Sequence, residues 1–393
     1  MPRDLATELV HHDYRPPAGF EAPQPGVFKA STVIFPSVAA VRHRDWRHKT
    51  GYTYGLHGTP TTFLLEERIA ALEGGRFCCL VPSGLAAVTL VGQALLSQGD
   101  EVLLPDNVYG PSREFARNEL ARWGIAHRLY DPMDPGALAA LIGPNTRLVW
   151  LEAPGSVTME FPDLPALVAA ARARGVTTAL DNTWGAGVAL RGFEHGIDIV
   201  MQALTKYPSG GGDVLMGSVV TRDEALHHRI KFTHMRLGLG VAGNDAELVL
   251  RSLSSLPLRY AAQDAAAREL AAWLGTRPEV AQVLHPAIEG SPGHAHWRAS
   301  CQAAAGLFSV MFDERYTQAQ VDAFVDALRL FRIGYSWAGP VSLVVPYLLE
   351  TMRPEPRPAH LRGRLVRFSI GLEAAADLRA DLAQALTTLG APA

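Results

Sequence analysis

Lys206 and Asp181 are the residues through which this chain could carry out covalent chemistry. Asp181 opens Asp181-Asn182-Thr183-Trp184 directly after the apolar run 176–180. Lys206 stands in Gln202-Ala203-Leu204-Thr205-Lys206-Tyr207 after the apolar run 197–201. Both therefore fall at the carboxyl ends of parallel strands, the edge at which open α/β sheets bind ligands. The pair matches pyridoxal phosphate: an amine holds the cofactor's aldehyde, and a carboxylate keeps its pyridine nitrogen protonated so that the ring withdraws electrons. A plain ion pair between two strand ends would use the same residues.

Other positions supply what the cofactor and an amino-acid substrate would need. Ser83-Gly84-Leu85-Ala86-Ala87 begins a helix just after an apolar run that ends at Pro82. The N–H groups of Gly84 and Leu85 would face a phosphate dianion, with Gly84 allowing close approach. The same Ser-Gly start also serves as an ordinary helix cap. Thr205 adds a hydroxyl beside Lys206. Tyr109, in Asp106-Asn107-Val108-Tyr109-Gly110, offers a ring to stack on the pyridine, although aromatic residues are mostly structural. Arg367 lies inside the apolar stretch 365–370, where its charge demands a partner: a structural carboxylate, or the α-carboxylate of a substrate held bidentately.

The elements that must position these residues follow an alternating rhythm. Helices are predicted over 62–73, 84–96 and 164–174, with strands at 78–81, 101–104, 147–151, 177–180, 197–201 and 214–220, which argues a parallel, doubly wound sheet. A helical stretch at 248–274 is interrupted at Pro257. Strands at 307–312, 341–345 and 365–370 with helices at 318–330 and 375–389 make a smaller α+β unit. We therefore divide the chain into an extended arm at 1–60, where Pro16-Pro17, Pro23 and Pro25 break any helix, a large cofactor-binding domain at 61–246, and a C-terminal α+β domain at 247–393.

Composition narrows the partners. At 393 residues, 48% hydrophobic and a net charge of −3, the chain can bury a large core and has no basic field for nucleic acid or an anionic membrane. A small molecule is the expected partner. Cys78, Cys79 and Cys301 are odd in number and two are adjacent in an apolar run, which fits reduced, buried thiols of a cytoplasmic protein. No Cys or His set has metal-ligand spacing, and the adjacent pairs His11-His12 and His227-His228 point apart on either a strand or a helix, so no metal is expected. No apolar run approaches the roughly 20 residues of a membrane span, and Met1-Pro2-Arg3-Asp4 opens no apolar signal segment. Cytoplasmic location is expected.

With Lys206, Asp181, Ser83-Gly84, Tyr109 and Arg367 assembled, the chain from about Thr53 to Glu373 resembles the Cys/Met-metabolism family of pyridoxal phosphate enzymes. The resemblance implies the aspartate aminotransferase-like fold (fold type I). Glu152-Ala153-Pro154-Gly155-Ser156-Val157-Thr158-Met159-Glu160 is similar to the cystathionine β-lyase signature, whereas γ-acting relatives carry a Thr-Asn-Pro version of this loop. Tyr54, in Tyr54-Gly55-Leu56-His57-Gly58-Thr59, matches a tyrosine that reaches the phosphate of a neighbouring subunit's cofactor, and Ser336-Trp337 matches a pair beside the substrate carboxylate. The resemblance thus implies an active site between two protomers, in a homotetramer built from two such dimers, with Lys206, Tyr109 and Tyr54 as its catalytic set. The implied reaction is β-elimination of L-cystathionine to homocysteine, pyruvate and ammonia in methionine biosynthesis. Its siblings are β-lysis of cystine or other cysteine S-conjugates and the γ-synthase and γ-lyase reactions; a non-catalytic pyridoxal phosphate-binding regulator is the remote reading.

Three positions depart from the family pattern: Leu56 where an Arg to the phosphate is common, Gly211 where Lys-Tyr-x-x-Gly-His is usual, and Val341 where a Glu is common. Loss of the Arg removes a charge-assisted hydrogen bond of about 1.5–3 kcal/mol. The neighbouring His57 either substitutes for it or is simply solvated.

Overall fold

In the computed structural model, which describes residues 4–391 apart from 13, 15–17, 21 and 354–356, the alternating segments form two sheets. The larger contains β1 (Phe77–Val81), β2 (Glu101–Pro105), β3 (Ala126–Tyr130), β4 (Thr146–Glu152), β5 (Thr177–Asp181), β6 (Ile199–Gln202) and β7 (Gly217–Thr221). Their spatial order is β1-β7-β6-β5-β4-β2-β3. The pairs between β6 and β3 are all parallel, whereas β7 runs antiparallel to both β1 and β6. No helix connects β6 to β7, and without a helical crossover the chain returns in the opposite sense.

Strand residues alternate between two cores, one on each face. Cys78 and Leu80 of β1 join one, while Cys79 and Val81 join the other, as the two-residue period requires. The helix Pro60–Glu73 starts with a capping box between Thr59 and Thr62 and stops at Gly74, which is left-handed with φ of 73°.

The smaller sheet contains β8 (Val280–Leu284), β9 (Leu307–Phe312), β10 (Arg332–Ile333), β11 (Leu343–Tyr347) and β12 (Arg364–Ser369). Its order is β10-β11-β12-β9-β8, antiparallel except between β10 and β11. The helices Leu256–Leu274, Gln318–Asp326 and Ala375–Leu386 contribute buried residues to its core. A large, mostly parallel sheet followed by a smaller C-terminal sheet is the fold type I arrangement.

Several boundaries differ from the sequence reading for local reasons. The apolar residues 214–216 belong to a loop rather than to β7, and Leu215 is exposed. The helical stretch restarts at Leu256, with Pro257 in the first turn where its missing N–H costs nothing. The arm does contain helices: Leu5–Val10, capped by Asp4 accepting from Ala6 N, and Val38–Arg42, capped by Ser37. Pro16 and Pro17 lie outside the described residues. Strand β3 adds to the strands predicted from sequence: it is a largely exposed edge strand, Ala-His-Arg-Leu-Tyr, with no apolar run to mark it.

Candidate active site

Strands β4, β5 and β6 end side by side, and the loops leaving them open onto a cavity of about 660 Å³. Asp181 is the last residue of β5. Thr183 donates to its Oδ1 from both N and Oγ1, at 3.0 and 2.5 Å, and among the described residues no hydrogen bond reaches Oδ2. Burial raises the Asp181 carboxyl, while Thr183 and the Lys206 charge pull it back.

Lys206 follows β6 and lines the same cavity. Its Nζ donates to Ser336 Oγ at 2.6 Å and lies 5.3 Å from the centre of the Trp337 ring. Burial, reinforced by the Arg367 charge and opposed by Asp181, lowers the amine to about 8. The chain has four lysines, Lys29, Lys49, Lys206 and Lys231. Of these only Lys206 lines the cavity.

Ser83 caps the helix Gly84–Leu95 by accepting from Ala86 N at 3.0 Å. Gly84 and Leu85, the first two residues of that helix, line the cavity with N–H groups that a helix start leaves unpaired. A Cβ on Gly84 would come within 2.5 Å of Ala203 Cβ, so glycine is needed where the helix start abuts the loop carrying Lys206. Thr205 also lines the cavity, but its hydroxyl is engaged with the backbone of Met216, donating to O at 3.2 Å and accepting from N at 3.1 Å.

Opposite, Arg367 projects from β12 with its side chain buried. Nη2 donates to Ser336 O at 3.0 Å, the guanidinium lies 5.5 Å from the Tyr347 ring centre, and Nε is buried with no partner among the described residues. Among the described residues it forms no ion pair, which decides against a structural carboxylate as its counter-charge. Ser336 and Ala338 hold φ of 88° and 68°, a left-handed conformation that costs energy for residues other than glycine and is typical of positions held for function.

Tyr109 also faces the cavity, half-exposed, with its N–H donating to Glu152 Oε1 and Oε2 at 2.9 and 3.0 Å. Glu152 closes β4 directly opposite Asp181 in the strand register. Burial and the neighbouring Asp181 charge push the Glu152 carboxyl well up. Without a cation of its own, Glu152 is the member of this pair that holds a proton, leaving the negative charge on Asp181 beside Lys206. Sequence reasoning missed Glu152, although its place as the strand end next to Asp181's was available.

The loop after β4 forms another wall, secured by Glu160. This buried carboxylate accepts from Asn107 Nδ2 at 2.8 Å, from His360 Nε2 at 3.0 Å, and from Thr158 and Arg353. Arg353 also pairs with Asp106. Burial alone would raise Glu160, but the His360 hydrogen bond and the Arg353 charge outweigh it and hold the carboxyl at about 2. The network ties the 154–160 loop to the segment that brings Thr351 and Met352 to the cavity.

The family described as Cys/Met metabolism PLP-dependent enzymes matches residues 6–387. The chain belongs to this family. The cystathionine beta-lyase of Bordetella avium is 42% identical over 364 residues, covering 91% of this chain and 90% of the relative. The L-methionine gamma-lyase of Pseudomonas putida is 33% identical over 389 residues, covering 97% of each. The crystal structure of metB from Corynebacterium glutamicum superposes with a TM-score of 0.89 at 27% identity, covering 98% of each chain.

This family member is a pyridoxal phosphate-dependent enzyme, and its cavity fits the cofactor. One lysine, a helix start with two uncommitted N–H groups, and an aspartate with a free carboxylate oxygen surround a volume within the range of small-molecule sites. Ten of the eleven residues singled out from sequence line it: Lys206, Asp181, Ser83, Gly84, Leu85 and Thr205, together with Tyr109, Ser336, Trp337 and Arg367. Tyr54 is not in the lining of a single chain; it is exposed and packs edge-on against His57. Leu56 and His57 border a separate small cavity with Lys231. His57 is half-buried there, with Thr53 Oγ1 2.8 Å from its Nδ1, and is not freely solvated. Val341 is exposed, and Ser342 beside it is held by Glu373.

Proposed function

We propose that the chain is a carbon–sulfur lyase that cleaves L-cystathionine by β-elimination to homocysteine, pyruvate and ammonia, a step that serves methionine biosynthesis. The observation that carries this reading is the placement of Lys206, Asp181 and Arg367 around one cavity, with the 154–160 loop as its wall. Identity to the cystathionine beta-lyase exceeds that to the gamma-lyase by 42% to 33%.

When bound, pyridoxal phosphate supplies a ring that accepts electron density from the substrate's Cα. Asp181, with Oδ1 engaged by Thr183, would use Oδ2 to hold the pyridine nitrogen protonated. Arg367, already oriented by Ser336 O, receives the α-carboxylate as a fork. This sets the Cα–H bond towards Lys206 Nζ, which removes the proton as a general base with a pKa near the operating range. The same Nζ returns a proton to the departing sulfur. Tyr109, fixed through its backbone by Glu152, would offer its ring for stacking on the pyridine. Arg113, which also lines the cavity, offers its charge to the distal carboxylate of cystathionine, a group that smaller sulfur amino acids lack, while Glu114 beside it is paired with Arg117 at 2.6 Å.

The arm at 1–60 is the candidate subunit contact. Phe20, Ile34 and Val38 are 63%, 92% and 64% exposed, more apolar surface than one short segment normally leaves in water. On this reading Tyr54 serves the partner's cavity in an active-site dimer, two of which form a tetramer. Retention of Lys206 and Arg367 speaks against a non-catalytic regulator, which needs neither base nor carboxylate fork. Among the described residues no helix is long and apolar enough to cross a membrane, and we propose a cytoplasmic enzyme.

The test is product analysis of the cofactor-loaded protein with L-cystathionine. Equal pyruvate and homocysteine support the reading, whereas α-ketobutyrate with cysteine would reassign the enzyme to γ chemistry.

A further inference from the structure

His48, Glu224 and His228 converge on the helix Glu224–Leu237, and none of them lines the cavity around Lys206. Among the described residues they are the one set of three His, Cys, Asp or Glu side chains whose donor atoms all lie within 4.8 Å of one another. Glu224 and His228 are four apart on the first turns of the helix and share a face. Asp223 fixes that turn by accepting from Leu226 N at 2.8 Å.

His48 comes from a distant loop, and its ring is already aimed. Nδ1 bonds Asp45 Oδ2 at 2.7 Å, and Nε2 lies 3.9 Å from Glu224 Oε1. That second separation is too long for a hydrogen bond. It is close to the roughly 3.4 Å expected between two donors that each bind a tetrahedral ion at about 2.1 Å. The Asp45 carboxylate behind the ring is the outer partner that orients metal-bound imidazoles. Packing docks the loop independently of any ion: the His48 and His228 rings meet edge-on at 5.4 Å, and Trp46 meets Phe232 edge-on at 5.0 Å.

We propose that His48 Nε2, Glu224 and His228 bind one divalent transition metal ion, zinc by the donor set, with water as fourth ligand. Two imidazoles and a carboxylate suit zinc better than calcium or magnesium, which take oxygen donors. Asp45 and Glu224 together balance the ion's two charges. The ion locks the loop at 45–48 onto the helix and so restrains the segment leading to Tyr54. Only the consequence for Tyr54 rests on the proposed active-site dimer; the binding site itself does not.

The experiment uses holoenzyme stripped with a chelator, titrated with zinc chloride and measured for bound metal after dialysis, with cobalt substitution read from its visible d–d bands. Wild type should hold one zinc per chain. His48→Ala and His228→Ala should each lose it, and Asp45→Asn should weaken it about 10- to 100-fold. Hydrogen exchange at 45–57 should slow several-fold on adding zinc to wild type and stay unchanged in His228→Ala. Absence of stoichiometric zinc in wild type, or the same stoichiometry in both histidine variants, would overturn the proposal. Because binding is read without turnover, failure on cystathionine leaves this result intact.

Discussion

Glu73 should make this protein less stable as pH rises, and Glu73→Gln should remove that dependence. Its side chain ends the helix Pro60–Glu73 fully buried beneath the Asp181-Asn182 strand end, accepting from Asn182 Nδ2 at 2.8 Å and Gln202 Nε2 at 2.6 Å. Burial is the main cause that raises its carboxyl from 4.5 to about 8. A folded-state pKa above the unfolded one means that the folded protein holds the proton more tightly. The resulting stabilisation is complete below pH 4.5 and is lost as pH climbs through 8. Between pH 6 and pH 9 the loss comes to about 2–3 kcal/mol, or about 2–4 °C in melting temperature for a chain of this size. Other groups that titrate in this window are common to both proteins and drop out of the difference. The assay is denaturant unfolding of wild type and Glu73→Gln at pH 6 and 9, with equal protein concentration and saturating cofactor. The stability of wild type relative to Glu73→Gln should fall by this amount between pH 6 and pH 9. A difference that stays constant across the range would refute a protonated Glu73.

Two predictions concern the site. Arg367→Lys keeps the charge but loses the fork, so kcat/KM should fall about 10- to 150-fold, the equivalent of 1.5–3 kcal/mol; steady-state kinetics showing less than a threefold change would remove Arg367 from carboxylate binding. Mixing inactive Tyr54→Ala with inactive Lys206→Ala subunits should restore part of the activity, since one hybrid site per dimer would hold both native residues; well-mixed hybrids with no recovery would place Tyr54 outside the partner's site.

Much of the site was legible because its residues sit at strand ends and helix starts, which apolar runs and turn residues mark in the sequence. Asp181, Lys206 and Gly84 belong to that group. Arg367 was legible for a different reason, as a charge in an apolar strand. Glu152, Glu73 and Arg353 were not picked out as site residues, because their importance arises from neighbours distant in the chain: Asp181 across the register for Glu152, Asn182 and Gln202 at the strand ends for Glu73, and Asp106 and Glu160 for Arg353. The His48–Glu224–His228 cluster carries no ligand spacing in the sequence for the same reason, as its members meet only when the loop docks on the helix. The antiparallel sense of β7 follows from a helix-free connection that apolar periodicity does not reveal, and of the apolar residues 214–216 Leu215 lines the cavity while Val214 and Met216 are buried in the core without joining the sheet.

The most direct test of the central claim is to locate the cofactor. Holoenzyme reduced with sodium borohydride, digested and mapped by mass spectrometry should carry the pyridoxyl group on Lys206, the one lysine of four that lines the cavity. A pyridoxyl group on Lys49 or Lys231 with Lys206 unmodified would contradict the account.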